Sequence, residues 1–363
     1  MWTIEKQIMH VGSRPAGFDY LRLSLSILII VYHSVAICYG SEAEILLWAG
    51  WHRPFVYFMV PSFFALSGFL VAGSLERNAI PAFISLRALR IFPALSVEVL
   101  VSAFIIGPLV TTFSLSAYFS SALFFQYFRN LVGDIQYHLP GVFADHPMDV
   151  VNSQLWTVPF ELECYLVIVG LALVGFVRRP YWLLAATIGL ILALIAKACF
   201  IGPLWHFAMP GRGLTACFLL GVALYRLRGV MPYSPFLLIV SLVSYCIFVS
   251  FDVTLPLTTL PLAYMTMFLG LQDPPRFSLV KGADYSYGMY LYGYPIQQSV
   301  YYFFPQFRNP YFNIAVSLVL AGLLAYLSWT FIEAKVLDRK KTVVSFVSSL
   351  RWPRLLRRNP SEI

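Results

Sequence analysis

Ten mainly apolar runs, interrupted by short polar breaks, divide the chain at 18–39, 54–75, 91–111, 154–177, 181–201, 206–227, 235–251, 255–271, 285–304 and 311–335. A helix that crosses the hydrocarbon layer needs about 20 such residues. The pattern therefore predicts an all-α protein, a polytopic membrane bundle of about ten transmembrane helices. The seventh and eighth runs are short, and Pro256 and Pro261 stand where either one is broken or kinked. The first run carries Asp19, Arg22 and His33 with no small-residue cleavage site after it, so it reads as a retained helix and not as a removed signal. One long stretch, 112–153, does not span; Gly133, Pro140, Gly141 and Pro147 mark it as loop. Its length suits a binding or covering element, and Tyr137, His138, Asp145, His146 and Asp149 either line an acceptor site or simply connect two spans.

Composition agrees. Of 363 residues, 59% are hydrophobic, 17% aromatic and 12% charged, against about a quarter charged in an ordinary soluble domain. A water-soluble globule, a disordered chain and a collagen-like chain are excluded. The net charge of +8 has a topological cause. With the N-terminus inside, 20 of the 25 Lys and Arg fall in the tails and even-numbered connections, as retention of basic residues on the cytoplasmic side requires. Both termini are thus expected in the cytoplasm. Residues 1–340 are expected to form the membrane domain and 341–363 a basic tail attracted to anionic lipid. Nucleic acid is excluded as a partner because the basic residues form no single solvated face. The five cysteines, Cys38, Cys164, Cys199, Cys217 and Cys246, show no metal-ligand spacing and read as buried thiols. No metal site and no permanently bound cofactor is expected.

An ionisable side chain within a span costs about 2.5–3.5 kcal/mol, so each one is a candidate for function. Arg22 and His33 are eleven residues apart, about three helical turns and roughly 16 Å of rise, and share one face. Taken singly, Arg22 also reads as snorkelling to the headgroups and His33 as a hydrogen-bonded core histidine. The run LWTVPFELECYL at 155–166 places Glu161 at a similar depth to His33, with Tyr165 on the same face, Glu163 turned away and Pro159 as a possible kink. A carboxylate beside an imidazole suits general-base chemistry, the acid fixing the tautomer. Two unrelated buried polar groups are the competing reading. Arg87 and Arg90, three apart between the second and third runs, form either a phosphate clamp or a positive-inside anchor. Tyr287, Tyr290 and Tyr294 make an aromatic stripe, which reads as packing.

In this order, these pieces resemble the acyltransferase-3 family of polytopic membrane O-acyltransferases. The matching segments are Arg22 through His33 in LRLSLSILIIVYHS, FFALSGFL at 63–70, Arg87-Ala88-Leu89-Arg90 followed by Ile91-Phe92-Pro93, LWTVPFELECYL, DYSYGMYLYGYP at 284–295 and WTFIEAKVL at 329–337. The resemblance covers nearly the whole chain. It implies transfer of an acyl group, most often acetyl, from cytoplasmic acyl-CoA (acetyl-CoA) to a hydroxyl on a carbohydrate or glycolipid acceptor such as an O-antigen, an exopolysaccharide or a lipid-linked sugar.

By that resemblance His33 is the essential histidine and Glu161 its catalytic companion, while Arg22, Arg87 and Arg90 bind acyl-CoA. Ser67, Trp156, Tyr165, Ser286 and Tyr287, from the matching runs, are expected to line the cavity. A histidine often found in the SY-x-x-Y-L-x-H segment is Gly293 here. The residues after 335 are too few for the esterase-like domain that some relatives carry, so transfer is expected to finish in the membrane domain or pass to another protein. His33 is expected to act as general base or as a transiently acylated relay. The implied setting is the bacterial cytoplasmic (inner) membrane. A transporter or flippase for a glycan or small organic substrate is the alternative that ten spans and intramembrane charges also suit; a non-catalytic scaffold is a third.

Overall fold

A computed structural model describes residues 1–12, 15–202, 209, 211–277 and 283–350. Each of the ten apolar runs carries a helix: α1 (Ala16–Tyr39), α2 (Arg53–Arg77), α3 (Ile80–Val101), α4 (Val158–Leu173), α5 (Pro180–Ile201), α6 (Gly211–Arg226), α7 (Pro235–Val249), α8 (Thr259–Gly270), α9 (Ser286–Phe303) and α10 (Pro310–Ser328). Among the described residues no strand forms. Among the described residues seven stretches are long and apolar enough to cross a membrane, with α3, α4, α8 and α10 lengthened by adjoining π, 3-10 or α-helical segments. The α6, α7 and α9 helices fall short of that standard. Helix α7 has 15 residues, and α9 carries glutamines and tyrosines in place of aliphatic side chains. The sixth run was expected from 206, and its first residues lie outside the described ones, as do residues 351–363 of the predicted tail.

Helix starts follow local chemistry. Proline stands in the first turn of α2, α3, α4, α5, α7 and α10, where its missing N–H costs nothing. This revises two expectations. Pro159 opens α4 and does not kink it, and a 3-10 segment, Ser153–Thr157, leads into the helix. Helix α3 begins at Ile80, so Arg87 and Arg90 lie inside the third helix and not in a connection.

Two helix groups flank the interior. In one, α9 packs between α1 and α10, joined by buried polar groups. Gln297 Nε2 donates to the Ile30 carbonyl (2.7 Å) and to Ser34 Oγ (2.5 Å), Ser34 Oγ donates to Asn313 Oδ1 (2.9 Å), and Asn313 Nδ2 donates to the Gln297 carbonyl (2.9 Å). In the other, α6 lies along α2. Gly68 and Gly221 permit the approach: a Cβ at either would sit 1.9 Å from the Phe218 carbonyl oxygen or 2.0 Å from that of Ala65. Small residues at a membrane helix interface serve this purpose. Helices α3 and α4 close the space between the groups.

The connections gather at two ends. At one, Ile4 and Glu5 amides bond the Met231 and Arg228 carbonyls (3.0 and 2.9 Å), Gly17 N bonds the Gln272 carbonyl (2.8 Å), and Glu76 faces Arg226 and Arg228. At the other, Arg53 pairs with Asp252 and the Tyr245 hydroxyl donates to the Pro54 carbonyl (2.7 Å). The 112–153 stretch forms two short helices, Leu115–Ser120 and Ala122–Tyr127, with exposed Phe113, Phe119 and Phe125. Its second half is tied to α9: His146 Nδ1 meets Gln298 Oε1 (2.8 Å), and Gln298 Nε2 donates to the Met148 and Val150 carbonyls (2.6 and 2.8 Å). Burial holds the His146 imidazole below its ordinary pKa. Cys38, Cys164 and Cys217 are buried, but Cys199 and Cys246 are exposed, on the apolar outer faces of α5 and α7.

Candidate functional site

Two cavities lie end to end inside the bundle. The first, about 140 Å³, is lined by Arg22, Ser67, Arg87, Arg90, Thr157, Glu161, Tyr165, Ser286, Tyr287 and Tyr290 among others. The second, about 160 Å³, is lined by Tyr32, His33, Glu44, Trp48, Gln154, Trp156 and Tyr290 among others. Val60 and Tyr290 border both. The expected site residues thus separate. Eight of them, Arg22, Arg87, Arg90, Glu161, Ser67, Tyr165, Ser286 and Tyr287, share the first cavity, and His33 and Trp156 line the second. None of Tyr137, His138, Asp145, His146 and Asp149 borders either.

The expected pairing of Glu161 with His33 is not made. Glu161 accepts from the Tyr165 hydroxyl (2.6 Å), one helical turn on, and shares its cavity with the three arginines. Because α4 starts at Val158 with Pro159 next, Glu161 falls in the helix's first turn, and Trp156 in the preceding 3-10 segment lines the cavity that holds His33. Glu163 turns away, as expected, and pairs with Arg212.

His33 sits between tyrosines. The Tyr294 ring meets the imidazole edge-on with centroids 5.1 Å apart, and the Tyr32 ring lies tilted at 5.0 Å. Among the described residues the imidazole makes no hydrogen bond, so both ring nitrogens are available to a ligand. The carboxylate of this cavity is Glu44, which accepts from the Tyr32 hydroxyl; Trp48 Nε1 donates to that same hydroxyl (2.9 Å). Tyr32 stood next to His33 inside a family-matching run without being singled out, and Glu44 and Trp48 fall outside every matching run, on the short helix Ser41–Ala49 that follows the span. The tyrosine stripe, read as packing, supplies the imidazole's neighbour (Tyr294) and the wall between cavities (Tyr290).

The three guanidiniums differ in their partners. Arg22 Nη2 lies 2.7 Å from Asp19 Oδ1 and 3.2 Å from Asp284 Oδ2, and Arg90 Nη2 lies 2.5 Å from that same Asp284 oxygen. Asp284 is buried, 8% exposed, and bridges the first helix to the third. Arg87 makes no ion pair among the described residues; its Nη2 is 3.5 Å from Ser74 Oγ and its guanidinium lies over the Phe83 ring. Arg87 is therefore the guanidinium freest to take an anionic ligand.

Comparison with known proteins bears on what this arrangement serves. The sequence profile of the acyltransferase-3 family, an acyltransferase domain, matches residues 16–333. The chain is 28% identical over 355 residues to an O-acetyl transferase of Shigella phage Sf6, a match that spans 90% of this chain and 98% of that relative. No solved structure matches. With a profile match across most of its length, on a polytopic helical bundle holding intramembrane arginines and a histidine in adjoining cavities, the chain belongs to the acyltransferase-3 family and is a membrane acyltransferase.

Proposed function

We propose that the protein moves an acetyl group from acetyl-CoA, bound at the arginine-lined end, to a hydroxyl of a carbohydrate-type acceptor that enters the His33 cavity from the opposite face. The observation that carries this reading is the pair of cavities with a common wall, one holding guanidiniums and the other an imidazole with open nitrogens. The phage relative, an O-acetyl transferase, supports acetyl as the group and oxygen as the acceptor atom.

Arg87, with Arg22 and Arg90 beside it, would receive the CoA phosphates through forked charge-assisted bonds. The rise from Arg22 to His33, roughly 16 Å, suits a pantetheine arm on the order of 20 Å. His33 removes the hydroxyl proton as the acceptor oxygen attacks the thioester carbonyl. The C–O bond forms, the C–S bond breaks, and the imidazolium returns its proton to the departing thiolate. In a second version the imidazole nitrogen takes the acyl group first and passes it on. Trp48, Trp156 and Tyr32 offer rings for a sugar face, and Glu44 an acceptor for its hydroxyls. Glu161 belongs to the donor side in this reading. The acceptor class is an O-antigen, exopolysaccharide or lipid-linked sugar, and the location is a bacterial cytoplasmic membrane with both termini inside.

The test is free-thiol release from acetyl-CoA by the full chain in nanodiscs, with and without a crude glycan extract. Wild type is expected to release thiol only with acceptor present, and His33→Ala to lose at least about a hundredfold. A folded His33→Ala protein with full transfer overturns both base and relay. A wild type that neither binds acetyl-CoA nor releases thiol overturns the donor.

A further inference from the structure

We propose that Tyr290 is the partition between the two cavities and determines which acyl groups reach His33. The inference rests on the reading above for what travels between the cavities, but not for the existence of the barrier.

Tyr290 borders both spaces, and its hydroxyl is held from both sides. It donates to the Gln154 carbonyl (2.9 Å), on a residue that lines the His33 cavity, and meets Thr157 Oγ1 (2.7 Å), on a residue that lines the arginine cavity. Phe63 of the arginine cavity packs edge-on against the ring, with centroids 5.9 Å apart. Val60, next to Pro61 in α2, borders both cavities as well.

The backbone beneath the ring is fastened too. Pro295 lies inside α9 and has no N–H for the carbonyl one turn back, that of Leu291. Asn152 Nδ2 (3.0 Å) and Gln154 Nε2 (3.2 Å) take that carbonyl, and Gln154 Nε2 also bonds the Tyr290 carbonyl. The segment that leads into α4 is thereby pinned to α9 at the tyrosine. A thioester advancing from the arginines meets the phenol before it meets the imidazole. Only rotation of the ring, which breaks its bonds to Gln154 and Thr157, opens the way, and the opening limits how much acyl chain can follow. With the ring absent, water and longer chains reach the same point.

The experiment has two arms, both on the full chain. In sealed vesicles of either orientation, a chain with Cys199→Ser, Cys246→Ser and Ser67→Cys is treated with the impermeant reagent 2-sulfonatoethyl methanethiosulfonate, and labelling is read against the same chain without Ser67→Cys. From the arginine face, labelling is expected with or without the tyrosine, which shows the cavity intact. From the His33 face, labelling is expected to be slow with Tyr290, to fall between wild type and Tyr290→Ala in Tyr290→Phe, which keeps the ring but loses its two hydroxyl bonds, and to rise at least about tenfold over wild type in Tyr290→Ala. In the second arm the ratio of hexanoyl-CoA to acetyl-CoA turnover is expected to rise at least about tenfold in Tyr290→Ala over Tyr290→Phe. Equal labelling from the His33 face in all three overturns the partition and leaves acetyl transfer by wild type standing. The expected labelling pattern, with no thiol release from any acyl-CoA by wild type, keeps the partition and overturns the acyl-CoA reading. An unchanged chain-length ratio despite faster labelling overturns the role in acyl selection.

Discussion

Arg87 carries the least internal obligation of the three arginines. Arg22 and Arg90 share one oxygen of buried Asp284, so they hold α1, α3 and the start of α9 together as well as facing the cavity. Arg87→Ala is expected to raise the KM for acetyl-CoA about tenfold, the worth of one charge-assisted bond, with the thermal midpoint unchanged. Arg90→Ala is expected to lower the midpoint as well, by about 1.5–3 kcal/mol of stability, because it strips the nearer guanidinium from a buried carboxylate. Donor titrations and thermal unfolding of both variants in detergent check this; equal effects on both readouts would refute the distinction. The chemistry of single residues was legible in the sequence where a charge stood in an apolar run, as at Arg22, His33 and Glu161. Their pairing was not. Helical rise estimates depth only if the helix starts where the apolar run starts, and α4 starts at Val158, four residues into the run drawn from 154.

At the level of elements, the start of the 3-10 segment Ser153–Thr157 and α9 act as one unit, since the side chains of Asn152, just before the segment, and Gln154, within it, satisfy the carbonyl that Pro295 frees in α9. Asn152 also donates to Glu98 Oε1 (2.7 Å), a carboxylate of α3 with no exposed surface. Asn152→Ala is expected to cost about 1–3 kcal/mol by removing two buried hydrogen bonds, one of them to a carboxylate, read as a lower unfolding midpoint, and Asn152→Asp to be no better, because it has no N–H₂ to give. A midpoint equal to wild type in either variant would refute the tether. Apolar run length foretold where helices stand, since hydropathy reflects a property of each segment alone. It could not foretell α9's role. Tyr290, Tyr294, Gln297 and Gln298 look like a weakly apolar helix in sequence, and only their contacts with α1, the 112–153 stretch and the second cavity reveal a central element.

For the whole molecule, the N-terminal segment and alternate connections gather at one end of the bundle and the connections with Arg53 and Asp252 at the other, as antiparallel neighbours require. A fluorescent protein fused before Met1 or after Ile363 is expected to fluoresce, and alkaline phosphatase inserted after Gly133 to be active; the reverse pattern would invert the orientation and place the arginine cavity outside. By itself the sequence determined the class, a polytopic helical membrane protein, along with the positions of its helices, the basic bias of one side, the family resemblance and the charged residues of the arginine-lined cavity. These follow from local quantities: apolar length, proline and charge along one segment. Tertiary structure alone decided that the site residues line two cavities and not one, that Glu161 stands with the arginines while Glu44 stands with His33, that Asp284 ties two arginines together, and that Tyr290 borders both cavities. Those facts depend on which faces of distant helices meet, and that is set by packing and buried hydrogen bonds between segments far apart in the chain.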